Sequence, residues 1–426
     1  MLSEIYELFK NSTGISTDTR TVKKGNLFFA LSGDHFNGNK FAQQAIVKGA
    51  TFCIIDDANF KTEYTILVPN TLKTLQQLAK HHRQQLNIPI IALTGSNGKT
   101  TTKELINTVL SKKYQTTATI GNLNNHIGVP LTLLTMTKNT EIGIVEMGAN
   151  HPNEIAFLAN IANPNFGYIT NFGKAHLEGF GNLEGVIKAK SELYNYLRDN
   201  QKIAFINADD PKQLQQSKGI KKVTFSENGN SDLQIQLASA NPNVTIIYNQ
   251  LEINSNLIGN YNFTNIAAAI CIGNYFKVEN NSIKDAIESY YPTNNRSQII
   301  NQNGHQIILD AYNANPTSMM VALESFKSLP AKNKVLFLGD MFELGNSSNT
   351  EHQIIVDYLH TIKNTTIYII GEHFKNTKHT KNIISFTDFE TFKNNFNTKL
   401  KNNSTILIKG SRGMALERIL KLITGR

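Results

Sequence analysis

A lysine and a threonine that follow a glycine-rich turn are the residues of this sequence best suited to bind phosphate. The segment IIALTGSNGKTTTKE runs from an apolar stretch into the turn, with Lys99 and Thr100 directly after it. Backbone N–H groups of such a turn can surround a triphosphate, while the lysine reaches the terminal phosphates and the threonine hydroxyl holds Mg²⁺. The strict pattern G-x-x-x-x-G-K-[ST] is not met, because Leu93 stands where its first glycine should be and Gly95 follows two residues later. We predict a phosphate site here, against the alternative of a chance turn before a helix.

The segments around this turn alternate between short apolar runs and helical patterns. The runs IPIIALTG, EIGIVEMG, FGYITN and QKIAFIN are predicted strands, and the residues between them have helical spacing. This alternation predicts a parallel sheet with right-handed crossovers. The segments KKVTFS, LQIQLAS and VTIIYN, which come later, are interpreted as an antiparallel extension, and NFTNIAAAICIGNYF and SIKDAIESYY as helices.

Two changes of pattern divide the chain into three predicted domains. A polar helix, TLKTLQQLAKHHRQQLN, closes before Pro89, and a new α/β series with the strands HQIILDAY, KVLFLGD, TTIYIIG and STILIKG begins after Asn295. The chain has 426 residues, a length that predicts two to four domains. We therefore place the domains at residues 1–85, 86–296 and 297–426.

Composition and charge exclude several classes of protein from the expected functions. The net charge of +9 suits an anionic small substrate or nucleic acid, but the basic residues are scattered, so we expect no nucleic-acid partner. Cys53 and Cys271 are far apart and form no C-x-x-C, so neither a disulfide framework nor a zinc site is predicted. The N-terminus lacks the pattern of a secretory signal and no apolar run reaches membrane-spanning length, so a cytoplasmic protein without a membrane anchor is expected.

Several motifs in a fixed order resemble the Mur ligase family. The turn TGSNGKTT is similar to the loop variant of these ligases and of their folate-ligase relatives. Further similar segments are GNLNNHIGVPLTLL at 121–134, EMGANHPNEI at 146–155, TNFGKAHLEGFGN at 170–182, DAYNANPTSM at 310–319, LGDMFELG at 338–345 and KGSRGMALE at 409–417. The stretch STDTRTVKKGNLFFALSGDHFNGNKF is similar to the family's UDP-binding domain.

This resemblance implies a fold and an activity. The expected fold is α/β in three domains: a small UDP-binding domain, a central P-loop ATPase-like parallel sheet and a Rossmann-like C-terminal domain. The expected activity is the ATP-dependent addition of D-alanyl-D-alanine to UDP-N-acetylmuramoyl-tripeptide through an acyl phosphate, in peptidoglycan synthesis, with its consequences for cell shape and cell division.

YNANP and GNLNN stand where the third-residue-adding ligase has D-N-P-R and a Thr-Thr-Pro segment. That ligase and, less closely, a folylpolyglutamate-type ligase are the enzymatic alternatives; a nucleotide-dependent switch or a nucleic-acid-binding ATPase is the non-ligase alternative. We expect a monomer.

The resemblance also assigns site residues in this sequence. The implied catalytic residues are Lys99, Glu146, His176 and Lys190. The implied ATP-binding residues are Thr94, Gly95, Ser96, Asn97, Gly98, Lys99, Thr100, Thr101, Asn265, Arg296 and Asp310. Asn262, three residues before Asn265 on one helix face, matches a family asparagine too, with helix capping as the alternative explanation. The implied substrate contacts are Asp18 and Arg20 for the UDP group, Asn124 and Asn125 for the acyl half, and Tyr312, Asn313 and Asn315 for the dipeptide. Lys409, Ser411 and Arg412 could hold substrate carboxylates or only form a turn.

Two positions depart from the family pattern. Asn295 replaces the glycine that commonly precedes the arginine, and Leu309 replaces the first acid of a common Asp-Asp pair. Because Arg296 and Asp310 are themselves present, we expect a modest effect.

The expected cofactors are ATP and two Mg²⁺ ions held by Thr100, Glu146, His176 and Lys190. The last of these matches the lysine that family members carry as a carbamate. An ammonium group beside two metal ions would be repelled, whereas CO₂ addition gives an anionic oxygen ligand. Lys188 lies two residues away and would face elsewhere on a helix, so the choice of Lys190 depends on the register of KAKSELY.

Overall fold

Three α/β units follow one another along the chain in this computed structural model, which describes residues 1–396 and 400–424. Residues 397–399 and 425–426 of the predicted third domain (297–426) lie outside the described residues. The three units agree with the predicted fold class, α/β with a central parallel sheet between two smaller α/β parts. Across the described ranges, no helix has the length and apolar content needed to cross a membrane.

The first unit is a four-stranded parallel sheet with the order β1-β2-β5-β6, accompanied by a short hairpin of β3 and β4. Its strands are short, and the buried residues Leu27, Phe28 and Phe29 form the centre of its core. The elements are α1 (Leu2–Lys10), β1 (Ile15–Ser16), β2 (Leu27–Phe29), β3 (Ser32–Gly33), β4 (Phe36–Asn37), α2 (Ala42–Val47), β5 (Phe52–Ile55), β6 (Thr65–Leu67) and α3 (Thr71–Gln85).

The second unit carries a seven-stranded, fully parallel sheet and a three-stranded antiparallel sheet. Their elements are β7 (Ile90–Thr94), α4 (Lys99–Leu110), β8 (Thr116–Ala118), α5 (Gly128–Leu134), β9 (Ile142–Glu146), α6 (Glu154–Ala162), β10 (Phe166–Ile169), α7 (Leu177–Phe180), α8 (Leu183–Asp199), β11 (Ile203–Asn207), α9 (Pro211–Gln216), β12 (Lys221–Ser226), β13 (Leu233–Gln234), β14 (Gln236–Ala240), β15 (Asn243–Tyr248), β16 (Leu251–Ile258), α10 (Asn262–Tyr275) and α11 (Asn280–Glu288).

Strand order explains why the site forms in this unit. The parallel sheet runs β13-β12-β11-β10-β7-β9-β8, so β7 lies between β9 and β10. In the register of these strands Leu93 pairs with Glu146, and Thr94 pairs with Ile169. The carboxyl ends of β7, β9 and β10 therefore meet at one edge of the sheet, where ligands bind in open α/β folds.

One part of the sequence-based assignment is wrong. KKVTFS, expected in an antiparallel extension, is β12 and pairs in parallel with β11. The short helix α9, which begins after Asp210 with Pro211 in its first turn, provides the crossover that a parallel pairing requires. LQIQLAS is divided between β13, which joins the parallel sheet, and β14, which with β15 and β16 forms the antiparallel sheet.

The third unit is a six-stranded sheet with the order β17-β18-β22-β19-β20-β21. Only the hairpin of β17 and β18 is antiparallel; the other pairs are parallel, as the alternation of strands and helices predicts. The elements are β17 (Gln298–Gln302), β18 (His305–Asp310), α12 (Pro316–Ser328), β19 (Asn333–Gly339), α13 (Ser348–Leu359), β20 (Thr365–Ile370), α14 (Glu372–Lys375), β21 (Ile383–Phe386), α15 (Phe389–Asn395), β22 (Ser404–Lys409) and α16 (Ile419–Thr424).

Candidate functional site

The phosphate loop lies between the buried strand β7 and the first turn of α4. Gly98 is the residue before α4 and has φ +79°, a left-handed conformation that favours glycine. The Nζ atom of Lys99 donates to the carbonyl oxygens of Gly95 (2.7 Å) and Ser96 (3.3 Å), so the ammonium lies over the loop. Burial lowers the pKa of Lys99, an effect that the carboxylate of Glu146 opposes. An anion in the loop would therefore meet a cation and the N-terminus of a helix.

A second loop, after β10, braces the phosphate loop. Thr170 Oγ1 donates to the carbonyl oxygen of Asn97 (2.6 Å), and the Asn171 side chain both accepts from the Asn97 N–H (3.1 Å) and donates to its carbonyl oxygen (3.0 Å). Ser96 Oγ donates to the carbonyl oxygen of Gly173 (2.8 Å). A Cβ atom on Gly95 would lie 2.0 Å from Thr170 Oγ1, so only glycine fits there. These contacts tie the phosphate loop to the loop after β10.

A buried carboxylate lies beside the loop. Glu146, the last residue of β9, is 1% exposed. Its Oε2 accepts from Thr100 Oγ1 (3.0 Å), and its Oε1 accepts from Asn124 Nδ2 (2.8 Å). Thr119 Oγ1 accepts the Glu146 N–H (3.0 Å). A carboxylate and a hydroxyl are brought together here, and both are oxygen donors of the type that Mg²⁺ prefers.

His176 belongs to the loop after β10, with φ +51°. Its Nδ1 lies 2.5 Å from Glu343 Oε2, which comes from the third unit. The hydrogen bond from His176 lowers the pKa of Glu343. His176 and Glu146 line the same cavity, which has a volume of about 580 Å³.

Lys190 is fully buried on α8, whereas Lys188 is exposed, as the predicted helix register requires. The Nζ atom of Lys190 donates to the carbonyl oxygen of Ala149 (3.0 Å) and lies 5.1 Å from the centre of the Phe180 ring. Burial lowers the pKa of Lys190 to about 7, with a further contribution from the positive charge of Lys99. Ala149 lines the cavity and Lys190 is behind that wall, so the structure places its amine next to the cavity and not in it.

The oxygen-rich part of this site fits Mg²⁺. Thr100 and Glu146 are paired, buried and open to the cavity, and the second imidazole nitrogen of His176 is not engaged by Glu343. Within the described ranges, no group of three or more His, Cys, Asp and Glu side chains is preassembled. Of the implied ligands, Thr100, Glu146 and His176 thus line one cavity and Lys190 lies behind its wall, without forming a closed shell.

Polar groups of the third unit, and Arg296 just before it, also line the cavity. Asp310, at the end of β18, accepts the Ser297 N–H (3.1 Å) and pairs with Lys409 Nζ (2.6 Å). The Arg296 guanidinium lies 3.6 Å from the centre of the Tyr312 ring, a stacking distance. Of the predicted site residues, the cavity lining includes Ser96, Asn97, Gly98, Lys99, Thr100, Thr101, Asn124, Asn125, Glu146, His176, Asn262, Asn265, Arg296, Asp310, Tyr312, Asn313, Asn315 and Lys409.

The predicted nucleotide anchors in the first unit lie elsewhere. Arg20 donates to both carboxylate oxygens of Asp18, and these hydrogen bonds lower the pKa of Asp18 to about 2. The structure brings Asp18 and Arg20 to each other on the surface of the first unit and not to the large cavity. Thr94, at the end of β7, and Gly95, in the phosphate loop, are not among the residues that line the cavity, and neither are Ser411 and Arg412.

Helix α10 holds the phosphate loop through Asn265. Thr102 Oγ1 donates to Asn265 Oδ1 (3.0 Å), and Asn265 Nδ2 donates to Asn262 Oδ1 (2.8 Å). Asn262 Nδ2 in turn donates to the carbonyl oxygen of Ile258 (2.8 Å). Asn262 therefore supports Asn265, and Asn265 is in contact with the loop.

The sequence analysis missed the side chains that join the second and third units. Lys174 pairs with Glu351 (2.6 Å), and its backbone N–H donates to Thr317 Oγ1 (2.9 Å). Glu343 lies within the motif LGDMFELG, but the motif assigns it no role. Single charged residues in loops carry no periodic signal, so only their spatial neighbours distinguish them.

Comparisons with known proteins cover nearly the whole chain. Residues 11–84 match the description "Mur ligase family, catalytic domain", residues 93–273 match "Mur ligase middle domain", and residues 295–412 match "Mur ligase, glutamate ligase domain". The chain is 35% identical to the UDP-N-acetylmuramoyl-tripeptide–D-alanyl-D-alanine ligase of Bacillus subtilis, over 96% of this chain and 92% of that protein. The protein of the same name from Escherichia coli is 34% identical, over 96% and 93%.

Solved structures show the same similarity. MurF from Acinetobacter baumannii superposes with a TM-score of 0.85 at 29% identity, covering 99% of this chain and 98% of that one. MurF ligase from Thermotoga maritima in complex with ADP also gives a TM-score of 0.85, at 27% identity and 98% coverage of both chains. A folylpolyglutamate synthase from Thermotoga maritima has a TM-score of 0.61 at 14% identity, over 83% of this chain and 93% of that one, which shows a shared fold alone.

Proposed function

This chain belongs to the Mur ligase family, and from that premise we propose that it joins D-alanyl-D-alanine to UDP-N-acetylmuramoyl-tripeptide at the expense of ATP. The reaction places the chain in peptidoglycan synthesis. The observation that carries the proposal is a cavity lined together by the phosphate loop, a buried carboxylate and polar residues of the third unit. The full-length similarity to ligases of that name supports it.

The reaction needs ATP because a carboxylate is a poor acyl donor. An attacking amine would have to expel an oxide from a group that is already negative. Transfer of the γ-phosphoryl group to the peptide carboxylate gives an acyl phosphate, and the amine then displaces phosphate to form the amide. In this sequence the phosphate loop and Lys99 hold and neutralise the triphosphate, and Arg296 lies where it can neutralise charge from the other side of the cavity.

Mg²⁺ ions would be held by Thr100, Glu146 and His176. When bound, they neutralise the phosphate oxygens and the attacking carboxylate. Asn124 and Thr100 fix the orientation of the Glu146 carboxylate by donating to its two oxygens, so the oxygen ligands are already positioned.

Lys190 is the residue that we propose to be carbamylated. Its pKa of about 7 leaves much of the amine neutral near neutral pH, which is the form that adds to CO₂. The addition forms an N–C bond, releases one proton and replaces a cation with an anion. The carbamate would extend the side chain past Ala149 towards the cavity that contains Glu146 and His176.

The two peptide substrates approach from opposite units. We propose that Asp18 and Arg20 bind the UDP group, that Asn124 and Asn125 contact the acyl half, and that Tyr312, Asn313 and Asn315 face the dipeptide. Asn265, Arg296 and Asp310 complete the ATP site. The domain limits 1–85, 86–296 and 297–426, a monomeric state, a cytoplasmic location and the absence of a nucleic-acid partner belong to the same proposal.

A coupled phosphate-release assay with purified substrates tests this function. We expect turnover only when MgATP, a UDP-N-acetylmuramoyl-tripeptide and D-alanyl-D-alanine are present together. Comparable turnover with a UDP-muramoyl dipeptide and diaminopimelate or lysine would identify the third-residue-adding ligase instead. Turnover with a folate and glutamate would identify the folylpolyglutamate-type reaction.

A further inference from the structure

Residues 173–178, which we call the docking segment, join the second unit to the third. At one end, the backbone N–H of Lys174 donates to Thr317 Oγ1 at the start of α12 (2.9 Å). The Lys174 ammonium pairs with Glu351 of α13 at 2.6 Å, and the Glu351 side chain is only 9% exposed. This end of the segment is therefore fixed by a backbone hydrogen bond and by an ion pair between a half-exposed lysine and a buried glutamate.

At the other end, the docking segment meets a single residue of the third unit twice. The carbonyl oxygen of Glu343 accepts the Glu178 N–H (3.1 Å), and the Glu343 carboxylate lies 2.5 Å from His176 Nδ1. The backbone hydrogen bond fixes the position of Glu343 in the chain, and the carboxylate of the same residue contacts the imidazole of His176. Nothing in the second unit supplies an equivalent carboxylate to this nitrogen among the described contacts of His176.

The backbone of His176 makes its orientation sensitive to these contacts. His176 has φ +51° and ψ +41°, a left-handed conformation that costs a non-glycine residue energy and persists only when the surroundings hold it. Its ring packs edge-on against Phe180, with the ring centres 6.4 Å apart. The Phe180 ring and the Glu343 carboxylate are thus the two neighbours that orient the imidazole.

We propose that Glu343 is a positioning residue that the third unit supplies to the metal site when the two units are docked. By accepting from Nδ1–H, its carboxylate fixes the imidazole tautomer in which Nε2 carries the lone pair available to a metal ion. Histidines that bind metals commonly donate their other nitrogen to a carboxylate in this way, and loss of that partner lowers metal affinity about 10- to 100-fold. The inference rests on the proposed role of His176 as a metal ligand.

This arrangement couples metal binding to the docking of the third unit. A metal ion is bound well only while Glu343 is in place, and Glu343 is in place only while the docking segment and the third unit are together. The coupling is reciprocal, so metal and nucleotide binding favour the docked state by the same factor. The lysine–glutamate pair at the other end of the segment favours docking without contact with the imidazole.

The test uses Mn²⁺ binding to the full chain, measured by electron paramagnetic resonance with a non-hydrolysable ATP analogue. Glu343→Ala should weaken the Mn²⁺ site by about tenfold or more. Glu343→Gln should keep much of the affinity, because its amide oxygen can still accept from Nδ1–H. Glu178→Ala, which removes an exposed acid from the same segment, is the matched control and should bind Mn²⁺ like the wild type.

A second readout reports the tautomer directly. In ¹⁵N-histidine-labelled protein, the His176 signals, assigned from a His176→Gln variant, should show protonated Nδ1 in the wild type and lose that preference in Glu343→Ala. Thermal unfolding of each variant separates misfolding from a local effect.

Two results would overturn the proposal: an unchanged Mn²⁺ affinity in Glu343→Ala, or an Nδ1–H tautomer of His176 that persists in that variant. Unchanged Mn²⁺ affinity in His176→Gln would also overturn it by removing His176 from the metal site. The proposed function fails separately, if the phosphate-release assay shows no turnover with MgATP, the UDP-linked tripeptide and D-alanyl-D-alanine together.

Discussion

Lys409 Nζ lies 2.6 Å from Asp310 Oδ2, and the Lys409 side chain is only 2% exposed. The two residues are at the ends of β22 and β18, which pair in parallel with Asp310 opposite Lys409. The family resemblance assigns Asp310 to the ATP site, as a ribose-binding acid. In the structure this carboxylate is also the partner of a buried cation, and either role requires its charge.

Removal of the lysine should destabilise the third unit. Lys409→Met leaves the Asp310 carboxylate without its cation, and loss of one partner from a buried pair typically costs about 3–5 kcal/mol, reduced here because Asp310 is 18% exposed. Urea unfolding measures the change. Lys421→Met, at an exposed position, is the control, and Lys409→Met/Asp310→Asn should recover part of the loss. A Lys409→Met variant as stable as the wild type would show that the ion pair contributes nothing to stability.

Gly98→Ala should impair nucleotide binding. A Cβ atom at this position would lie 2.6 Å from Asn265 Oδ1, and φ is +79°. Gly181 has nearly the same φ, +80°, but a Cβ atom there would meet no other atom within 4 Å, so Gly181→Ala isolates the backbone strain. We expect Gly98→Ala to weaken ATP binding by about tenfold or more, since local strain costs about 1–3 kcal/mol. Gly181→Ala should leave ATP binding unchanged. Isothermal titration calorimetry measures both; equal affinities in the two variants would contradict the steric argument.

Asn124→Ala should lower the catalytic rate more than it lowers stability. The amide of Asn124 donates to Glu146 Oε1 at 2.8 Å, and without it one oxygen of a buried carboxylate loses its partner. The carboxylate can then rotate out of the orientation in which its other oxygen accepts a hydrogen bond from Thr100. We expect kcat to fall about 10- to 100-fold, with a raised Mg²⁺ requirement. Steady-state kinetics at varied Mg²⁺ checks this, and an unchanged Mg²⁺ dependence would argue against the contact.

Lys190 should carry the carbamate if the proposed chemistry is right. Protein equilibrated with ¹³C-bicarbonate should show a carbamate carbon signal that persists in Lys188→Ala and disappears in Lys190→Ala. The reason is burial: Lys190 is fully buried with a lowered pKa, whereas Lys188 is exposed. A signal that remained in Lys190→Ala would place the modification on another residue.

The lowered pKa of Lys190 also predicts how stability depends on pH. Its pKa changes from an ordinary value of 10.5 to about 7 in the folded protein. Between these values the unfolded chain binds a proton that the folded chain does not, so the free energy of unfolding rises with pH by up to about 1.4 kcal/mol per unit. Below pH 7 both states are protonated and the burial cost is constant. Urea titrations of wild type and Lys190→Met at pH 7 and 9, in CO₂-free buffer, should show a steeper rise in the wild type than in the variant, in which Lys99, whose pKa is also lowered by burial, still contributes.

Most helices and strands, and the polar residues at their ends, could be predicted from the sequence. The phosphate loop, the α/β alternation and the residues at the ends of β7, β9 and β18 follow from local patterns: apolar runs of strand length, helical spacing and a glycine-rich turn before Lys99. The register of α8 also follows, since spacing alone places Lys190 and Lys188 on different faces. The assignment failed at β12, because a strand with alternating polar residues can pair in either direction and only the crossover decides.

Tertiary structure decided which of these residues meet. The pairing of Asp310 with Lys409 depends on two strands 99 positions apart being neighbours in register. The contact between His176 and Glu343 depends on two loops from different units being neighbours. Local sequence carries propensity and periodicity, which act over a few residues. Contacts between distant charged side chains depend on the packing of whole units, and that packing is a property of the folded chain.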